Sequence, residues 1–337
     1  MSVKAKTAIE SVVINESVAL RILPHREAGA HKWSVGGVII VGGSPGYIGA
    51  PALAALGASR SGAGIVLIAS PRGAVGSIAS IVPEAAFIPM PEGDLGVGGR
   101  RAAEKIDERL DKAKALVVGP GLGDDEYADL VMTALLGKQI ARHQVSLGFS
   151  APKSEVSPAR ASSDAILGQD KPAVIDADSL NWLATQDEWW KLLNPNTCVL
   201  TPHLGEMARL TGKDISDIEA DSVGVAVAAA KEWQQVVVLK GSPTIATDGE
   251  RVYVAESSPR ALATAGTGDV LAGSIGAFLA QGVEPLESAA MAIFIGCRAV
   301  ARLTERFGTL GVIATDLPPA IAEELGALEL RKAESNG

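Results

Sequence analysis

Cysteine is nearly absent: the 337 residues hold Cys198 and Cys297 and no others. Two thiols so far apart, each in an apolar run, make neither a disulfide framework nor a zinc site. The expectation is buried free thiols in a reducing compartment. Aromatic residues are scarce as well, at 4%, so the core has to be built from Ala, Val, Leu and Ile, a composition suited to helices packed closely on a parallel sheet. Positive charge is in deficit. The formal net charge of −9 implies no basic face, which argues against a nucleic-acid partner. It still allows an anionic nucleotide to be held by backbone N–H groups and one or two placed cations. The first residues, MSVKAKTAIESVV, lack an apolar run of signal-peptide length. The charge-free stretch from Trp33 to Ser59 is interrupted by Gly42, Gly43, Pro45, Gly46, Gly49 and Pro51, so a membrane helix is not expected. A cytoplasmic protein is. Also missing are GxxxxGK[ST], a cluster of His and Cys, and GxSxG, which sets aside P-loop, zinc and nucleophile-elbow chemistry.

What is present is apolar residues in quantity, 47% of the chain, and 37 glycines. Short apolar runs recur: Val35 to Val41, Gly64 to Ala69, Ala115 to Val118, Ala173 to Ile175, Cys198 to Leu200 and Val236 to Leu239. Bounded by Gly, Pro or Asp, they read as strands buried on both faces. Helical patterns lie between them, as at Arg100 to Leu110 and Glu219 to Trp233. Strand and helix in alternation predict an α/β fold, a doubly wound, mostly parallel sheet with helices on both faces. Thr244–Ala246 and Arg251–Val254, turned at Asp248-Gly249, predict a hairpin on the sheet's edge. Two long helices, from Gly268 to Gln281 and from Leu286 to about Arg306, should close the core. Gly137 to Lys171 has no clear periodicity and is too long for an ordinary connection, and reads as an insertion or lid-like excursion. With no internal repeat and no strong shift in composition, the organisation expected is one catalytic domain over residues 1–337, with a core of about 20–325.

Six turns could carry chemistry, five of them at strand ends. Val41 to Ala50 (VGGSPGYIGA) leaves a strand and enters an Ala-rich helix, where glycines admit a ligand and the helix N-terminus favours an anion. A tight packed turn would look the same, and the Gly spacing is not that of a dinucleotide fingerprint. Val118 to Gly123 (VGPGLG) also follows a strand and suits the wall of a crevice, unless it is only a breaker cluster. In Val174 to Asn181 (VIDADSLN), Asp176 and Asp178 could hold Mg²⁺ directly or through water. Alternatively Asp178 or Ser179 caps the next helix. His203, in Thr201-Pro202-His203-Leu204-Gly205-Glu206, is one of 4 histidines. It could bond a substrate hydroxyl or amide, or be a surface residue at a helix start. Lys240 ends an all-apolar strand, before Gly241 and Thr244. Its ammonium could meet a nucleotide phosphate or simply be solvated. The strongest turn is Ala263 to Gly273 (ATAGTGDVLAG). Around Gly266, Thr267 and Gly268, successive N–H groups can form an anion nest at the positive end of a helix. Asp269, in its first turn, can accept a proton from an attacking hydroxyl.

The last turn, with Lys240 upstream, resembles the anion hole and catalytic base of the ribokinase-like superfamily. The ordered blocks narrow the resemblance: His31-Lys32 ahead of a strand, then GGSPGYIGAPALAALGASRSGAG, GPGLG, DADSLN, TPHLGEMARL, VVVLKG and ATAGTGDVLAG. Over roughly residues 20 to 320 the chain resembles the ADP- or ATP-dependent NAD(P)H-hydrate dehydratases. The resemblance implies a metabolite-repair lyase that returns NADHX and NADPHX to NADH and NADPH. Asp269 would activate the C6 hydroxyl, the nucleotide's terminal phosphoryl group would pass to it, and phosphate would then leave. It implies that Ala50, Gly121, His203 and Asp269 contact NAD(P)HX and that Lys240, Gly241, Thr244, Gly266, Thr267 and Gly268 contact the nucleotide. It further implies ADP or ATP as donor, with ADP favoured, Mg²⁺ alongside, and a homo-oligomer, a homotetramer or larger. Many members carry a His-Gly-x-Ala-Gly-Asp stretch where this chain reads Phe294-Ile295-Gly296-Cys297-Arg298-Ala299-Val300, a departure expected at one edge of the nucleotide pocket. No fused N-terminal epimerase domain is expected. Competing expectations are a vitamin-precursor kinase of the same superfamily, acting on hydroxyethylthiazole or pyridoxal, and a nucleotide-binding regulator without turnover.

Overall fold

The computed structural model describes residues 11–91, 97–137, 165–167 and 171–336. Most of the 137–171 segment expected as an insertion therefore lies outside the described residues. The strands are β1 (Ser11–Ile14), β2 (Gly37–Val41), β3 (Ile65–Pro71), β4 (Ala86–Met90), β5 (Ala113–Val118), β6 (Ala173–Ile175), β7 (Cys198–Leu200), β8 (Val236–Leu239), β9 (Ile245–Thr247) and β10 (Val252–Ala255). They form one sheet in the order β1-β10-β9-β8-β7-β6-β5-β2-β3-β4. Pairing is parallel except on either side of β9.

The apolar runs are continuous because both faces are covered. Along β2, Val38 and Ile40 join one core cluster and Ile39 and Val41 the other, all at 0% exposure. Each such burial contributes about 2 kcal/mol. On the first face lie α3 (Gly49–Arg60), α11 (Thr267–Ala280), α12 (Pro285–Gly311) and α13 (Leu317–Asn336). On the other lie α5 (Val97–Leu110), α6 (Glu126–Leu135), α7 (Asp178–Leu183), α8 (Leu204–Thr211) and α10 (Ser222–Trp233).

Strand order reverses between β2 and β5. The chain winds outward through β3 and β4, then returns to β2's other side. A crevice opens outside the carboxyl ends of strands at such a switch point, and the turns after β2 and β5 are the two Gly-rich ones.

Several expectations are corrected. The hairpin of β9 and β10 is not the edge, because β1 pairs in parallel with β10 and covers it. The pattern over Glu219 to Trp233 is two helices, α9 (Ile215–Ala220) and α10, with the side chain of Asp221 capping the second through the Gly224 N–H. Two long helices do not end the core, since α13 follows and packs on α12. His31 caps the short α2 (Lys32–Val35), its Nδ1 accepting from the Ser34 N–H at 3.1 Å.

Candidate active site

The turn before α11 is pinned from several sides. Gly266 occupies the cap with φ 90°, a conformation that favours glycine, and a Cβ there would meet Leu53 Cδ1 at 2.5 Å. The Thr267 hydroxyl donates to the Leu262 and Thr264 carbonyls at 2.9 and 3.0 Å. It thus holds the loop's shape. Among the described residues no acceptor is found for the N–H groups of Gly268 and Asp269. They stand open at the positive end of a 14-residue helix, the arrangement an anion requires.

Behind the turn, α11 presses on α3. A Cβ on Gly273 would lie 1.9 Å from the Ala54 carbonyl oxygen, and one on Gly57 2.5 Å from that of Val270. Two bare backbones in contact fix where α11 points its first turn.

Two cavities meet at this turn. The first, about 760 Å³, is lined by Lys240, Gly241, Thr244, Thr267 and Gly268, with His203 at its rim. Its far wall includes Ile293, Gly296 and Cys297, so the Phe294 to Val300 stretch does border this pocket. The second, about 800 Å³, is lined by Tyr47 and Ala50 after β2, Gly121 after β5, Asp178 and Asn181 on α7, Arg209 on α8, and Asp269. Gly268 therefore faces one cavity and the next residue, Asp269, faces the other. Ala50, Gly121 and Asp269 come together as expected. His203 does not join them, because it lines the cavity of Lys240.

A buried charge network supports the junction. Lys240 Nζ lies 2.9 Å from Asp176 Oδ1 and 3.7 Å from Glu206 Oε2. Asp176 Oδ1 also accepts from the Thr201 hydroxyl at 2.6 Å. Asp176 is 1% exposed and lines neither cavity. It serves as the counter-charge of Lys240. Asp178 does face a cavity, and its Oδ2 accepts the Gly123 N–H at 2.8 Å, tying two ligand-side turns together. Neither Asp178 nor Ser179 caps α7, since Ala177, with φ 51°, holds that position. No group of three metal-ligating side chains stands among the described residues.

The network sets the protonation of its members. Burial pushes the Asp269 carboxyl up from an ordinary 3.8 to about 7, and Asp176 adds to the rise while Lys240 opposes it. Burial alone would pull the Lys240 ammonium down, but Asp176 and Glu206 hold it above its ordinary value. Burial, then Lys240 and Arg209, keep His203 below the usual histidine range. Its Nδ1 accepts from the Glu206 N–H at 3.1 Å while Glu206 Oε2 accepts from the His203 N–H at 2.7 Å, a capping box that orients both side chains. A neutral imidazole, a fixed cation, open N–H groups and a carboxyl titrating near neutrality suit phosphoryl transfer to a hydroxyl.

The sequence reading passed over Glu206, Asn181 and Arg209 as site residues. Asn181 stands three residues after Asp178, and that spacing puts both on one face of a helix. Cys297 departs from a buried thiol, being part-exposed in a cavity wall, whereas Cys198 is fully buried.

A family model described as NAD(P)H-hydrate dehydratase matches residues 38–142 and 154–323. A bifunctional NAD(P)H-hydrate repair enzyme from Moorella thermoacetica is 38% identical over 298 residues, 88% of this chain and 50% of that protein. The chain spans about half the length of the first curated relatives it matches. An ADP-dependent (S)-NAD(P)H-hydrate dehydratase from Neisseria meningitidis is 33% identical, with 90% of each chain covered. Among solved structures, the ADP/ATP-dependent NAD(P)H-hydrate dehydratase of Bacillus subtilis, co-crystallised with ATP and Mg²⁺, superposes with a TM-score of 0.73. Its identity is 26%, over 96% of this chain and 100% of that one. A hydroxyethylthiazole kinase from Pyrococcus horikoshii, at 16% identity and a TM-score of 0.52, shares the fold.

Proposed function

The chain belongs to the NAD(P)H-hydrate dehydratase family, and on that premise we propose that it dehydrates NADHX and NADPHX to NADH and NADPH at the expense of a nucleotide. One observation carries the reading: the open N–H groups and the carboxyl of one turn face two different cavities. The nucleotide lies along Lys240, Gly241 and Thr244, with its terminal phosphate on the N–H groups at Gly268. The hydrated nicotinamide lies in the cavity of Ala50 and Gly121, its hydroxyl against Asp269.

Asp269 takes the hydroxyl proton as the oxygen forms its bond to phosphorus and the donor's bond to that phosphorus breaks. Lys240 and the helix end stabilise the charge that develops. The ester then loses phosphate, a far better leaving group than hydroxide, while the neighbouring C5 gives up a proton to solvent, and the ring double bond of the dihydropyridine is restored. With ADP as donor the products are AMP, phosphate and NAD(P)H. Mg²⁺ bound with the nucleotide would neutralise phosphate charge; of Asp176 and Asp178, only Asp178 reaches a cavity, the second one, so a water shell at the junction is where it would meet the ion. We read the chain as one catalytic domain acting in the cytoplasm. Among the described residues no helix is long and apolar enough to cross a membrane. We further propose a homo-oligomer, a homotetramer or larger. Phe307, Leu310 and Ile313, exposed within one short stretch, support an interface.

The test is incubation with NADHX, Mg²⁺ and either ADP or ATP, following the absorbance of the dihydronicotinamide. Recovery of NADH with release of phosphate is expected, faster with ADP. No recovery with either nucleotide sinks the dehydratase reading, and phosphate retained on a product would favour a kinase.

A further inference from the structure

The second cavity has a charge problem that its cation solves. Five carboxylates line it: Asp124, Asp125, Asp129, Asp178 and Asp269. Its proposed occupant, a dinucleotide, brings a diphosphate bridge with two negative charges. Among the described lining residues, Arg209 is the sole cation. Its Nε donates to Asn181 Oδ1 at 3.0 Å, and it forms no ion pair with a described carboxylate. A guanidinium with a neutral amide on its Nε keeps its terminal N–H groups for a ligand, although its charge also bears on His203 and Glu206. Arg251, Arg298, Arg302 and Arg331 each sit on a carboxylate, whereas Arg26, like Arg209, is hydrogen-bonded to a neutral acceptor, the Gly62 carbonyl.

Position agrees with charge. Arg209 projects from α8, whose first residues hold His203 and Glu206 in their capping box. Its Nη1 lies near Gly205, 3.9 Å from where a Cβ would stand. Asn181 sits on α7 one turn after Asp178, whose other duty is the Gly123 N–H. The helix and the amide thus hold the guanidinium at the wall of the second cavity.

We infer that Arg209, oriented by Asn181, is the binding residue for the diphosphate bridge of the dinucleotide substrate, while Lys240 serves the phosphoryl donor. The fork geometry of a guanidinium suits two phosphate oxygens at once. Division of labour follows: one cation per anionic ligand, each in its own cavity. The inference rests on the dehydratase reading for the identity of the dinucleotide.

The experiment is Arg209→Met and Arg209→Lys in the full chain, with Asn181→Ala as the positioning variant. Steady-state rates are measured against NADHX and against ADP, and NADH binding is measured directly as a non-reacting probe. Arg209→Met should raise KM for NADHX and weaken NADH binding roughly tenfold or more, the loss of a charge-assisted contact. It should leave kcat within about twofold and KM for ADP unchanged. Arg209→Lys, which keeps charge but loses the fork, should fall between. Asn181→Ala should raise KM for NADHX by a smaller factor, again with kcat preserved. Arg209 is exposed and unpaired, so its melting temperature should hold; were Arg209→Met to unfold, Arg209→Lys and Asn181→Ala carry the same readouts. Unchanged KM for NADHX, or a loss falling on ADP instead, overturns the assignment. A wild-type protein that binds NADH but does not dehydrate NADHX defeats the parent reading alone, and the Arg209 variants then decide the cation's role by NADH affinity.

Discussion

Asp269 concentrates the chemistry and its pH dependence. Asp269→Asn keeps the shape of the turn and removes the proton acceptor. Turnover should fall by roughly 10²–10⁴-fold, the ordinary worth of a positioned base, while ADP still binds, as calorimetry or a thermal shift would report. Unchanged turnover would remove Asp269 from the mechanism. Because burial holds this carboxyl at about 7, kcat/KM should rise with pH through a limb near neutrality as the base form appears. Stability should move the other way. An acid whose folded value lies above its unfolded value leaves the native state holding more protons between the two, so stability is lost as pH climbs from about 4 toward 7. Lys240 tests the coupling. Lys240→Met leaves Asp176 and Glu206 buried without their cation, which should cost about 3 kcal/mol in urea unfolding. It also removes the one group that pulls Asp269 down, so the rising limb should shift to higher pH. A variant that is destabilised with its limb unmoved would make Lys240 a structural residue only.

At the scale of elements, the same physics explains what could be read from the sequence. Runs such as Gly37–Val41 and Ala113–Val118 were legible because strands buried on both faces must be apolar throughout. β4, Ala86–Met90, was not, since Pro89 interrupts it and two of its residues are half-buried. β1 escaped for a related reason: three of its four residues are exposed, and only Ile14 reaches the core. α13 begins with Pro318 and Pro319 and carries charge along much of its length, so no clean stripe announces it. Gly121, on a short strand-end turn, and Asp269, in the first turn of a helix behind a Gly-rich cap, were legible because both turns are short and Gly-rich. Arg209 and Glu206 lie on helices beyond such turns, where periodicity shows a surface but not what it faces. The contact of α3 with α11 gives the element-scale prediction. Gly273→Ala would drive a methyl into the Ala54 carbonyl region, at 1.9 Å. The two helices must separate, at a cost of about 1–3 kcal/mol in chemical unfolding. The displacement carries Asp269 with it, so kcat should fall as well, although Gly273 touches no ligand. Full activity in a folded Gly273→Ala protein would show that the turn is positioned by its loop contacts instead.

For the molecule as a whole, the consequence is an order of events. The ends of five strands, β2, β5, β6, β7 and β8, bring site turns to one rim, and the reversal of winding between β2 and β5 opens the rim there. On it the turn of Gly266 to Asp269 separates two cavities of similar size, about 760 and 800 Å³, each roomy enough for a nucleotide-sized ligand. Direct transfer across one turn demands that donor and acceptor be present together. Asp269 is placed to take a proton, and Lys240 is held charged by two carboxylates and cannot attack. Initial velocities measured over a grid of NADHX and ADP concentrations should therefore give intersecting double-reciprocal lines. NADH should inhibit competitively against NADHX but not against ADP, because it occupies only the cavity of Ala50 and Gly121. AMP should show the reverse pattern. Parallel lines, the mark of a covalent phospho-enzyme formed before the second substrate enters, would mean that the two cavities do not fill together and that the turn is a relay instead of a shared wall.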